Sequence, residues 1–206
     1  MNGCHPSAGL LNGGLVGGDW LRTRDARYQA ALEAEPALDR VNIMDQDSDK
    51  QRLYNAAIRL LASREHSVLE LKQKLNQRSA RLKLSGTKQE LSDLIEEVIQ
   101  SLQEQGLQSD LRFAEAVVRS RISRGYGPYY IEQSLRTKGI SSAQLDEVEA
   151  WHLADWTAVA RELKDRRFPD VCAETRYEDP KSYQKAARAL QQKGFSGSVI
   201  ARVLVE

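Results

Sequence analysis

One spacing occurs three times from residue 102 onward: Leu102, Gly106 and Leu107; Leu135, Gly139 and Ile140; Leu190, Gly194 and Phe195. In each, the glycine suits the left-handed position just past the end of a helix, and the apolar residue after it folds back onto the leucine of the last turn. A chain that ends helices this way at three places is committed to short helices joined by tight turns. Lys138 and Lys193, each one residue before its glycine, add cations at the negative end of the helix dipole.

The starts agree with the ends. Ser48 with Gln51, Ser67 with Glu70, Thr87 with Glu90 and Ser141 with Gln144 have capping-box spacing. Gly127-Pro128 and Asp179-Pro180 place proline at the first helical position, where its missing N–H costs little. No run of alternating β-branched residues argues for a strand. The spacings predict an all-α chain with nine helices, at about 49–64, 68–77, 88–105, 110–124, 128–138, 142–150, 153–168, 180–193 and 197–205. Leu145 to Phe168 contains no Gly or Pro, so the sixth and seventh can also be read as one bent helix.

Helices of about ten residues are marginal alone and must dock an amphipathic stripe. Such stripes are present, as in Leu91, Leu94, Ile95, Val98, Ile99 and Leu102, or Phe113, Ala114, Val117 and Val118. Grouped in threes, the helices predict a tandem array of three three-helix repeats, an elongated and curved molecule with units at residues 48–108, 109–150 and 151–206. Residues 1–47, Gly-rich up to Gly18 and then acidic, read as a disordered, mildly acidic tail.

Composition removes several functions. No stretch approaches the roughly 18 consecutive apolar residues of a spanning helix, and the start lacks the basic and apolar regions of a secretory signal, so a cytoplasmic protein with no membrane partner is expected. Two cysteines are too few for a disulfide scaffold. His5, His66 and His152 lack ligand spacing for a metal. The Gly13 to Gly18 run has no following Lys-Ser/Thr and no preceding strand, and no catalytic motif occurs. No cofactor, no metal and no enzymatic activity are expected.

Charge is segregated although the chain is nearly neutral, at a formal +1. Residues 1–50 hold five basic and eight acidic side chains, a net −3 that masks +4 over the remainder. Residues 71–89 contain Lys72, Lys74, Arg78, Arg81, Lys83 and Lys88 and no acid, a local +6. Residues 112–124 hold Arg112, Arg119, Arg121 and Arg124 against Glu115, followed by Tyr126, Tyr129 and Tyr130. Arginines beside tyrosines suit phosphate contact and base stacking, although tyrosines in such a place also serve for packing or capping. Arg161, Lys164, Arg166 and Arg167, interleaved with Glu162 and Asp165, read as a solvated helix face. The acid-free run at 71–89 is open to both readings, a polyanion contact or a solvated surface.

The residues also carry a family resemblance. Gly106-Leu107-Gln108-Ser109-Asp110-Leu111-Arg112-Phe113-Ala114-Glu115, continuing through Arg119-Ser120-Arg121 to Gly127-Pro128, Ile131, Leu135 and Lys138-Gly139-Ile140, closely resembles the central repeat of the RecX family of RecA regulators. Ala57 to Ser67, with Glu70, Leu71 and Leu75, is similar to that family's first repeat, and Tyr183, Leu190 and Lys193-Gly194-Phe195 to its third. The family often has two acids where Ser109 and Asp110 stand here, and Asp110 is expected to cap the fourth helix instead. The loop at 78–87 is long for the family, and the tail has no recognised counterpart.

The resemblance implies a non-catalytic modulator that sits in the groove of the RecA filament, blocks its growth or promotes disassembly, and suppresses ATP hydrolysis and strand exchange. The implied partners are the RecA filament, with single- and double-stranded DNA as secondary contacts, and a monomer is expected. Candidate contacts are Arg112, Arg119, Arg121, Arg124 and Lys138 in the centre, and Lys72, Lys74, Arg78, Arg81, Lys83 and Lys88 in the basic run. The alternative is a stand-alone DNA-binding module that competes for single-stranded DNA. A net +4 over the helical body is modest for reliance on DNA alone, which favours a partner that is mostly protein.

Overall fold

The computed structural model describes residues 46–205 other than Lys83, with side chains from Asp49 onward. The expected tail, up to residue 45, and Lys83 lie outside the described residues. These form eleven helices and no strand: α1 (Gln46–Ser63), α2 (Val68–Ser79), α3 (Lys88–Glu104), α4 (Asp110–Ile122), α5 (Pro128–Arg136), α6 (Ser142–Asp146), α7 (Glu149–His152), α8 (Trp156–Arg167), α9 (Thr175–Glu178), α10 (Pro180–Gln192) and α11 (Gly197–Val205).

Three hydrophobic cores follow one another along the chain. The first is built by α1 to α3 around Leu53, Ile58, Leu61, Leu71, Leu75, Val98 and Leu102. The middle one gathers Phe113, Val118, Ile131, Leu135, Ile140 and Val148, with Trp151 and Trp156 packed against it edge to face at 5.1 Å. The third holds Ala160, Leu163, Ala186, Leu190, Phe195, Ile200 and Leu204. Each is a small helical packet that buries its own stripes, so the fold is a tandem helical repeat.

The three expected helix endings form alike. Leu107, Ile140 and Phe195 donate their amides to the carbonyls of Leu102, Leu135 and Leu190, at 2.8, 3.1 and 3.3 Å, with the intervening glycines at φ 67°, 82° and 90°. A fourth copy closes α4, where Tyr126 N–H donates to Arg121 O at 3.0 Å behind Gly125 at φ 70°. Reciprocal capping boxes close at Thr87/Glu90 and Ser141/Gln144.

Four local expectations change. Helix α1 already includes Ser48, which therefore does not cap it. Ser67 Oγ accepts the Glu70 amide at 3.1 Å, but the Glu70 carboxylate turns to other partners and leaves the box open. The expected sixth helix breaks at Glu147 and Val148 into α6 and α7, and a separate α8 begins where the Asp155 carboxylate accepts the amides of Thr157 and Ala158 at 2.9 and 3.0 Å. One bent helix is thus ruled out by a cap that needs no partner residue three positions on. Asp110 is the first residue of α4, and Ser109 caps that helix.

Candidate functional site

Two junctions tie the cores together, and the central group of sequence-predicted contacts, Arg112, Arg119, Arg121, Arg124 and Lys138, sits in or beside them. At the first, Asp110 Oδ1 reaches back to the start of α2 and accepts the Val68 amide at 2.9 Å. It also accepts from Gln108 Nε2 at 2.9 Å, and the same nitrogen donates to His66 O at 3.2 Å. Asp110 therefore caps a helix of the preceding packet and fixes the two cores to each other.

Glu70, 8% exposed, lies at the centre of this junction. Arg64 approaches both its oxygens at 3.0 and 3.2 Å, and Lys138 donates to Oε1 at 2.7 Å. Burial alone pushes the Glu70 carboxyl up, yet the Arg64 fork and the Lys138 ammonium together bring it down to about 2. His66, buried beside them, donates Nδ1–H to Arg64 O at 3.0 Å, the only sense a carbonyl permits. Burial, and then the neighbouring Arg64 charge, lower its pKa to about 4, so the ring is neutral at pH 7.

This geometry engages two predicted contacts internally. Lys138 is held by Glu70, and Arg112 spans from Glu65 Oε1 at 3.3 Å to the carbonyls of Gly106 and Leu107 at 2.9 and 3.0 Å. The Arg112 guanidinium closes the end of α3 while crossing to the loop before α2.

In the basic run, Lys72 pairs with Glu96 at 2.8 Å. Lys74 and Arg78 are half-buried, and Arg81 and Lys88 are exposed. No ion pair of these four is present among the described residues. The long loop is anchored by Asp49, which is buried; its Oδ2 accepts the Ser85 amide at 2.8 Å and its Oδ1 pairs with Arg52 at 3.1 Å. An aspartate that charge counting assigns to an acidic tail is thus part of the first packet.

The second junction is built on two glycines. Gly127 N–H donates to Lys193 O at 2.7 Å and Tyr129 N–H to Gly194 O at 3.1 Å, joining the start of α5 to the end of α10. A Cβ on Gly127 would lie 2.5 Å from Gly194 O, and one on Gly194 would overlap the Tyr130 amide. Only a bare backbone permits this approach.

Above the glycines, Tyr126 and Tyr130 pack with ring centroids 4.2 Å apart. Arg121 lies 5.1 and 5.5 Å from these rings, and Lys193 Nζ is 3.6 Å from the centre of Tyr126. The Lys193 ammonium holds the Tyr126 phenol below its usual range. These two tyrosines serve packing and cation binding at the junction, whereas Tyr129 is exposed.

Arg119 is exposed and makes a long 3.6 Å pair with Glu115 one turn before it, while Arg124 is exposed with no ion pair among the described residues. Arg166 Nη2 comes to 3.5 Å from where a Cβ on Gly125 would stand, directly after Arg124. The basic end of α4 and the basic end of α8, some forty residues apart in sequence, are therefore neighbours in space. Within the cluster read as a solvated face, Lys164 is an exception: it is buried and pairs with Asp165 at 3.2 Å.

Sequence reasoning passed over α10. Its charged residues, Lys181, Lys185 and Arg188, are all basic and spaced by four and three, and with Arg167 they line an open groove of about 400 Å³. The signal was an acid-free helix with its cations on one face, diluted by the alanines and glutamines between them.

Comparison with known proteins decides the family. Residues 109–148 match the RecX second three-helix domain and residues 155–204 the RecX third three-helix domain. The regulatory protein RecX of Halorhodospira halophila is 38% identical over 147 residues, 71% of this chain and 82% of that protein. The chain belongs to the RecX family. Regulatory protein RecX of Xanthomonas axonopodis pv. citri is 36% identical over 168 residues, 82% of this chain and 93% of that protein. The crystal structure of RecX from Lactobacillus salivarius superposes with a TM-score of 0.57 at 26% identity, covering 76% of this chain and 95% of that one. The RecX second-domain match starts at Ser109, the cap of α4, and the third-domain match at Asp155, the cap of α8. Among the described residues of this RecX-family chain, no helix is long and apolar enough to cross a membrane.

Proposed function

We propose that the chain is a regulator of RecA that binds the RecA–DNA filament, blocks its growth or promotes its disassembly, and so suppresses ATP hydrolysis and strand exchange. In this reading it is a cytoplasmic monomer without catalytic activity, acting in recombination, DNA repair and the SOS response. Its units are residues 48–108, 109–150 and 151–206. The observation that carries the reading is a match to regulatory RecX proteins that runs through 82% of the chain and 93% of the relative.

The arrangement of charge supports it. Arg119 projects from α4 and Arg124 from the turn that follows it, beside the second junction, where cations from two packets converge. Exposed arginines on a fixed scaffold suit contact with an acidic protein surface or with phosphates, because the guanidinium fork is preorganised for both. Arg112 and Lys138, held by Glu65 and Glu70, orient the packets that carry that surface.

The test is RecA ATPase on single-stranded DNA with increasing amounts of the chain. Inhibition well below one molecule per RecA protomer is expected. Inhibition only at amounts that coat the DNA supports competition for the strand, and no effect in either regime removes the regulatory reading.

A further inference from the structure

The groove between α8 and α10 has no assigned role. One wall is α10, with Lys181, Lys185 and Arg188 exposed while Ala186 and Leu190 of the same helix enter the third core. Arg167, at the end of α8, faces them, and Phe168 and Ala189 form the floor. Gln184 and Gln192 complete the rim. None of the four cations has an ion pair among the described residues. The nearby Asp179 is occupied in accepting the Ser182 amide.

From Lys181 to Arg188 the helix rises by about 10 Å. That matches about three phosphates of a B-form strand, at roughly 3.4 Å of axial rise each. Neighbouring cations in the row, four and three residues apart and so about 6 Å from each other, repel by only about 0.7 kcal/mol per pair in water, so the free chain tolerates the cluster, and a polyanion relieves it. A peptide ligand generally needs an apolar anchor and a pocket for it. Here Phe168 packs, half-buried, against the third core and Ala189 offers only a methyl group, and every other lining side chain is a cation or an amide. The glutamines add neutral donors that favour no particular base.

We infer that this groove binds the phosphate backbone of a nucleic-acid strand, with Lys181, Lys185 and Arg188 along one wall and Arg167 on the other. Arg166, next to Arg167 in the chain, stands beside Gly125, and with the exposed Arg124 it would offer a strand leaving the groove further cations toward the middle packet. The inference deepens the proposed function by locating a DNA contact. Its test contains no RecA, so its failure and the failure of the RecA reading are distinguishable.

The full chain is titrated against a fluorescent thirty-nucleotide oligo-dT at several salt concentrations, alongside the triple variant Lys181→Gln, Lys185→Gln, Arg188→Gln. Loss of three phosphate contacts flattens the log–log salt slope by about two, and affinity at 100 mM salt falls at least tenfold. An unchanged slope overturns the inference. Lysine acetylation of the unsubstituted chain gives a second readout independent of the variant's folding, with Lys181 and Lys185 protected when the oligonucleotide is bound. Bound DNA without protection overturns the inference. So does equal protection by inorganic phosphate at matched phosphate concentration, which marks a simple anion trap. Protection by a polyglutamate peptide but not by DNA assigns the groove to acidic protein instead.

Discussion

Lys138 Nζ, in the turn that follows α5, lies 2.7 Å from Glu70 Oε1 in α2, 68 residues earlier in the chain. Glu70 is buried and also pairs with Arg64 at 3.0 Å, so one carboxylate neutralises cations from two packets. Glu70→Gln keeps the volume and removes the charge that both cations face. Because Arg64 and Lys138 each keep about half their exposure, they recover part of their hydration, and a loss of about 2 kcal/mol is expected rather than the 3 to 5 of a fully buried pair. That corresponds to a Tm lower by roughly 4 to 8 °C. Lys138→Met, which leaves Arg64 in place, should cost less. Thermal unfolding of both variants checks the order.

The same junction makes stability fall in acid. Both groups have native pKa values below their ordinary ones, His66 at about 4 and Glu70 at about 2, so the unfolded chain binds protons more readily than the native one. Their contributions are complete above the unfolded values and are lost as pH falls. His66 acts between about 6.5 and 4, and Glu70 between about 4.5 and 2, each worth about 2 to 3 kcal/mol after screening by solvent. Denaturant midpoints measured from pH 7 to pH 3 should decline in two overlapping steps. Replacing His66 by Gln should remove the upper one. A midpoint independent of pH above 4.5 in the unsubstituted chain counts against a buried neutral histidine.

Glycine substitutions separate the second junction from ordinary helix endings. Gly106→Ala meets open space at φ 67° and should cost only the left-handed backbone penalty, about 1 kcal/mol. Gly194→Ala adds a clash with Tyr130 to the same penalty, and Gly127→Ala meets the Gly194 carbonyl at 2.5 Å. Overpacking of this kind costs about 1 to 3 kcal/mol. Gly194→Ala should therefore unfold at clearly lower denaturant than Gly106→Ala, and equal midpoints would show that the junction yields freely.

How much of this could be read in advance depends on the range of each signal. The endings at Gly106, Gly139 and Gly194 were legible because a Schellman turn needs only nearby residues, and it forms alike at Gly106, which stands in open space, and at Gly139, which packs against Leu69. The fourth, at Gly125, escaped because Arg121 stands where the others have leucine. Asp155 escaped as a cap because it serves two amides alone, without the partner that defines a capping box. The site was less legible. That Lys138 and Arg112 point inward depends on Glu70 and Glu65, which are distant in sequence, and charge counting cannot tell a cation in an ion pair from one facing solvent. The α10 groove was partly legible from its acid-free face, but Arg167 joins it only through the packing of α8 against α10.

These placements also decide which charge reversals report on the partner. Arg119→Glu with Arg121→Glu mixes two effects, because Arg121 rests on the Tyr126 and Tyr130 rings and its reversal disturbs the junction as well as any contact. Arg119→Glu with Arg124→Glu is cleaner: both side chains are exposed, and the Glu115 pair is a surface pair at 3.6 Å worth under about 1 kcal/mol. Helicity and Tm should hold nearly constant, and under the proposed RecA reading the amount required to inhibit RecA ATPase should rise at least tenfold. Leu135→Ala, at a position 1% exposed in the middle core, should do the reverse and lower stability by roughly 2 to 5 kcal/mol, its activity following the folded fraction. If the double reversal inhibits as well as the unsubstituted chain, the exposed end of α4 is not the surface that meets the filament.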